Sequence, residues 1–149
     1  MFNLYIDLFI DQFQILAAAF ALWKGGPAER IAAAVAIADV LVGRVALMVD
    51  PSATNLIYLI TDGLAAVALL FVTVRYAALW MGLVMLFFAA QFALHSYYLV
   101  TERPHDYLHA LINNINWSGI AWCLIIGTAV AWRARRRKAS SDWSEPAAP

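Results

Sequence analysis

The sequence predicts an all-α polytopic transmembrane helical bundle, and three observations carry that expectation. Of 149 residues, 64% are hydrophobic and only 13% charged, against about 45–50% and about 25% in soluble domains. Mean hydropathy is +0.72. The apolar residues also fall in five stretches, each long enough to cross a bilayer, which takes roughly 20 residues. A soluble globular or disordered chain is excluded. Ten basic residues balance ten acidic ones, so no basic excess points to nucleic acid as a partner. A single cysteine makes neither an intrachain disulfide nor a paired-cysteine metal site.

The expected spans are Leu4–Trp23, Glu29–Val49, Leu56–Tyr76, Ala77–Val100 and Asp106–Trp132. Gly25-Gly26-Pro27 ends the first helix and places proline at the start of the second. Asp50-Pro51-Ser52 and Glu102-Arg103-Pro104 are breaker-containing turns. The third and fourth spans meet around Arg75-Tyr76-Ala77 without a breaker. That boundary follows from length alone, because a single helix over both would be about twice too long at 1.5 Å per residue. Residues 1–132 thus form one transmembrane bundle, and 133–149 a basic, then disordered, cytoplasmic tail. Asp7, Asp11 and the lack of a basic leader argue against a cleaved signal peptide.

Orientation follows from the basic residues. With five spans and the N-terminus outside, Lys24, Arg30, Arg75, Arg133, Arg135, Arg136, Arg137 and Lys138 all fall on the cytoplasmic side. Only Arg103 lies in an outer loop, which is the positive-inside pattern. Aromatic residues agree: Trp23, Tyr76, Trp80 and Trp132 are expected at the inner interface, and Tyr5, Tyr58, Tyr97, Tyr98 and Tyr107 near the outer one. The second span, carrying Asp39 and Arg44, is the weakest and is expected to insert with a neighbour. The run Arg133–Lys138 reads as an anchor to anionic headgroups.

Ionisable residues inside spans are costly and face the bundle interior. Asp11, Arg44, Asp62, His95 and Asn113 all lie roughly 8–11 Å below the proposed outer surface at about 1.5 Å per residue. Five helices therefore contribute to one polar layer. The hairpin register sets Arg44 level with Thr61 and Asp62, so a structural Arg44–Asp62 ion pair is expected. The second register sets His95 between His109 and Asn113. Asp7/Asp11, Gln91/His95 and His109/Asn113 are spaced i,i+4, and Asn113/Asn116 i,i+3. The candidate ligand- or ion-binding residues are Asp11, Asp62, Gln91, His95, His109 and Asn113. The acids outnumber the single intramembrane arginine, and the unpaired carboxylates require water, protons, histidine or a bound cation. That points to a cavity open to the outer face.

Other chemistries have thinner support. His95, His105, His109 and nearby aspartates are suitable metal or haem ligands, but no ligand-spacing motif is present and the cofactor stays unknown. Ser96 and Ser118 lack a nucleophile motif. Cys123 reads as packing, and Gly82, Gly127 and Ala32/Ala36 as close helix contacts. A purely structural network remains an alternative, since polar side chains also hold membrane helices together.

Trp23-Lys24-Gly25-Gly26-Pro27-Ala28-Glu29-Arg30, followed by an alanine-rich span, Asp62-Gly63, Gln91 with His95 and an arginine-rich end, resembles small polytopic membrane proteins of proteobacteria that carry a W-x-G-G-x-x-E-R loop. The resemblance implies a bacterial inner-membrane location and brings no established activity. The partners expected are the lipid bilayer and either a second copy or another membrane subunit. The function expected is that of a non-enzymatic binding, ion- or proton-handling or accessory component. A membrane-embedded metal- or haem-dependent enzyme is the alternative.

Overall fold

A computed structural model describes the backbone of residues 2–50, 54–104 and 106–142, and the side chains of 9–50, 55–104 and 106–140. The described residues form five helices: α1 (Phe2–Lys24), α2 (Pro27–Val49), α3 (Thr54–Tyr76), α4 (Leu79–Val100) and α5 (Tyr107–Asp142). Four of them, α2 to α5, are long and apolar enough to cross a membrane. Each helix packs against its chain neighbours and α1 closes against α5, so the bundle is a ring with α2 also reaching α5 across it.

Small residues set how closely the ring closes. Ala17, Ala18 and Ala21 of α1 and Ala32, Ala33 and Ala36 of α2 are almost fully buried, packed with Ile120, Ala121 and Leu124 of α5. A Cβ on Gly127 would stand 2.3 Å from the Trp80 ring, and one on Gly119 the same distance from Phe87, so aromatic rings of α4 lie flat against α5. Gly82 is different: the nearest atom to an added Cβ there is Thr73 Cγ2 at 3.7 Å, an ordinary contact. Trp80 is half-buried in this packing. Cys123 lies among the same apolar groups.

The α1–α2 loop is a clamp. Glu29, buried, accepts the Gly26 N–H at 2.6 Å. Arg135 of α5 lies 3.6 Å from that carboxylate and donates to the Lys24 carbonyl at 2.6 Å, capping the last turn of α1. Gly25 has no room for a side chain, since a Cβ would meet the Ala21 carbonyl oxygen at 2.1 Å. The WKGGPAER loop is thus a three-helix junction. It also explains why α5 does not stop at Trp132: the basic run is helical through Asp142. Alanine, arginine and lysine are good helix formers with no breaker among them, and Arg135 is held by the clamp. The expected disorder from Ala139 is corrected as far as Asp142; 143–149 lie outside the described residues.

The α3–α4 boundary, which carries no sequence breaker, is made by Ala77. Its φ is +50°, a left-handed residue whose N–H bonds the Thr73 carbonyl at 2.8 Å. Ala78 then runs extended as the N-cap of α4. A β-carbon in this conformation costs roughly 1–2 kcal/mol.

Two substitutions test these junctions in detergent-solubilised protein. Gly25→Ala forces a backbone clash that no rotamer relieves, so a loss of about 1–3 kcal/mol of stability is expected, read as a lowered thermal midpoint. Ala77→Gly relieves the left-handed strain at a cost in unfolded-chain entropy, and the midpoint is expected to hold or rise.

Candidate functional site

The polar side chains of all five helices meet in one cavity of about 540 Å³ at the end of the bundle carrying the α2–α3 and α4–α5 loops. Asp11, Arg44, Asp62, Gln91, His95, His109 and Asn113 line it, with Asp39, Tyr58, Asp106, Asn114 and Trp117. All six candidate binding residues from the sequence are therefore in the same wall. Asp7 and His105 lie outside the residues whose side chains are described.

The deepest polar contact joins α3 to α4. Asp62 and His95 are both buried, and His95 Nδ1 and Asp62 Oδ2 share a hydrogen bond of 2.5 Å. The carboxyl group orients the imidazole ring through Nδ1. Tyr58 stacks on the His95 ring with centroids 5.4 Å apart, and the His109 ring lies at the same distance on a 47° tilt. Tyr98 meets His109 edge-on at 4.8 Å. The histidine rings are thus in direct contact with each other and leave no gap for a macrocycle between them. Among the described residues no group of three or more His, Cys, Asp or Glu is disposed to hold a metal ion.

The expected Arg44–Asp62 ion pair is corrected. Arg44 bonds Asp11 of α1. Hairpin register fixes level along the helix axes, not rotation about them. Asp62 is turned inward and 2% exposed, while the Arg44 side chain is 47% exposed, on the face that looks towards α1. Gly43 supplies the close contact between α2 and α3 instead, with Tyr58 lying where its Cβ would be.

A second network ties α4 to α5. Gln91, fully buried, donates from Nε2 to Asn113 Oδ1 at 2.8 Å and accepts at Oε1 from Asn116 Nδ2 at 2.9 Å. The i,i+3 pair Asn113/Asn116 therefore grips one amide from both ends. At the mouth, Tyr98 donates to Asp106 Oδ1 at 2.6 Å and the His109 N–H donates to the same oxygen at 2.9 Å. Arg103 lies 3.8 Å from the other oxygen and donates to the Tyr97 hydroxyl. The Tyr98 hydroxyl, then the His109 N–H, hold the Asp106 carboxyl below its ordinary value of 3.8.

Two tyrosines expected at or near the outer interface, Tyr58 and Tyr98, also build the site: Tyr58 on its wall and Tyr98 beside it. Gln14 escapes the sequence reading. It is 3% exposed and, among the described residues, neither amide atom has a hydrogen-bond partner, although its i,i+3 spacing from Asp11 is a signal that could have found it. Asp39 is buried against the cavity and hydrogen-bonded by Thr61, and among the described residues its Oδ1 has no partner.

Fold and site together define a polytopic helical membrane protein with a charged, aromatic-lined cavity at one end. No protein-family model, curated protein or solved structure matches the chain.

The Asp106 network has a testable pH dependence. Because the folded carboxyl sits below 3.8, its stabilisation is complete above that value and is lost as pH falls below it towards the depressed one. Tyr98→Phe removes the leading cause. Thermal midpoints of wild type and Tyr98→Phe, measured from pH 3 to 6, are expected to converge at the acid end and separate above it.

Proposed function

We propose that the protein is a non-enzymatic component of the bacterial inner membrane that binds a proton or a small cation in a polar cavity open to the outer face. It crosses five times with the N-terminus outside. The observation that carries this reading is the buried Asp62–His95 pair in the wall of a five-helix cavity. Four aspartates line that cavity against one arginine, itself engaged by Asp11. With the histidines neutral, the lining is formally three charges negative, and a concave low-dielectric site focuses that field on cations.

The charge distribution supports the orientation. Lys24, Arg30, Arg75 and the Arg133–Lys138 run stand at the end of the bundle opposite the cavity. Lys24 Nζ sits 3.7 Å above the Trp23 ring and Arg136 lies over Trp132, the arrangement that suits a headgroup layer. The resemblance of the WKGGPAER loop to proteobacterial membrane proteins supports the location. A second copy of the chain or another membrane subunit is the partner this reading accommodates alongside the bilayer.

The test uses the purified protein in nanodiscs, with Trp117 in the cavity wall as reporter. Titration with protons, Na⁺ and K⁺ is expected to give a saturable fluorescence change for at least one of them, absent in Trp117→Phe. Asp62→Asn and His95→Ala are each expected to weaken it at least tenfold, about 1.4 kcal/mol, with helical circular dichroism retained. Folded protein with no saturable response to any of the three reduces the network to a structural one.

A further inference from the structure

A second cavity lies between α2 and α3, about 230 Å³ in volume. Val35, Val42, Leu64 and Ala68 give it apolar walls, and Thr61 and Asp39 are its polar members. Ala38, Val42 and Leu64 are exposed on the outside of the bundle, so this groove looks towards the hydrocarbon. Asp39, the thirteenth of the 23 residues of α2, also lines the polar cavity. It therefore stands at mid-membrane level, between an aqueous-facing pocket and a lipid-facing one.

Its chemical state is unusual. Asp39 is 6% exposed; the Thr61 side chain hydrogen-bonds the carboxylate, but among the described residues Oδ1 has no hydrogen-bond partner. The arginine on the same helix, Arg44, is spent on Asp11, and His95 is spent on Asp62. Among the described residues no cationic side chain forms an ion pair with Asp39. A carboxylate at this depth is retained only at a cost, and an acyl chain in the groove leaves its free oxygen unsatisfied. A cation with an apolar body meets both requirements, with charge on the carboxylate and body along the valine and leucine walls.

We propose that the α2–α3 groove is a binding site for a lipophilic organic cation, such as a substituted ammonium, with Asp39 as its counter-ion. The site is distinct from cation or proton binding at Asp62–His95 and does not rest on it.

Tetraphenylphosphonium is a suitable probe because it is lipophilic and permanently charged, so its own protonation plays no part. Equilibrium binding to the full chain in nanodiscs of neutral lipid, corrected for empty nanodiscs, is expected to be saturable at one site per chain. Asp39→Asn is expected to weaken it at least tenfold. Val42→Trp, at an exposed position that fills the groove without touching the core, is expected to do the same, and it decides the question if the Asp39 variant does not fold. Na⁺ and K⁺, added at concentrations that saturate the outer cavity, are expected not to displace it, which separates this site from that one. Triphenylphosphine oxide, a neutral relative, is expected not to compete. Unsaturable uptake, unchanged affinity in folded Asp39→Asn or in Val42→Trp, or displacement by Na⁺ or K⁺ overturns the proposal.

Discussion

The bond between His95 and Asp62 is the contact around which the cavity end of the bundle is organised. Two ionisable side chains on neighbouring helices are withdrawn from solvent together, and neither is tolerable there alone. Removing one partner of such a pair leaves the other buried and uncompensated, which is typically worth several kcal/mol. That asymmetry fixes the rotation of α3 against α4. Once His95 faces Asp62, Gln91, one turn earlier on α4, must face α5, where Asn113 and Asn116 take both ends of its amide. Tyr58 and His109 then have only the two faces of the histidine ring left to pack on.

The half of the bundle away from the cavity follows a different rule. It contains few polar side chains to pair, so its cohesion comes from close approach. Alanines bring α1 and α2 close to α5, and the glycines of α5 receive the Phe87 and Trp80 rings of α4, where dispersion contacts accumulate. The clamp of Glu29, Gly26 and Arg135 sits at this end and fixes α1, α2 and α5 in rotation. The polar cavity lies at the opposite end from this clamp, among side chains that pair instead of interdigitating.

Much of this was legible in the sequence because its signals are one-dimensional. Span positions follow from runs of apolar residues, and depth follows from counting, so Asp11, Arg44, Asp62, His95 and Asn113 were placed in one layer that became one cavity. Rotation about the helix axis is a second coordinate, which hairpin counting does not supply. Arg44 and Asp62 are level, yet they point to different neighbours, and so the ion pair was assigned to the wrong acid. Spacing within a helix does carry rotation, and there the reading succeeded: Asn113 and Asn116, three apart, share Gln91. Position along the axis places Tyr58 and Tyr98 near one end of the bundle but not against the histidine rings. The Ala77 boundary depends on a single left-handed residue, which leaves no mark in composition, whereas the helical basic run combines helix-forming composition with the Arg135 contacts to Glu29 and Lys24.

The zero net charge hides a sorting in which most basic residues gather at the clamp end and most of the acids of the bundle at the cavity end. This sorting bears on chemistry as well as on topology. With the bases gathered at the clamp end, only Arg44 is available among the intramembrane acids, and its reach commits it to Asp11. His95 answers Asp62, and His109 packs against His95. Asp39 is then the acid that geometry leaves over, and it sits where the polar cavity and the α2–α3 groove share a wall. A structural network has no need of a carboxylate at that point. An apolar residue there would pack against Val35 and Val42 and spare α2 its insertion cost. A charge kept where packing would favour its removal is an argument for a cation that comes from outside the chain.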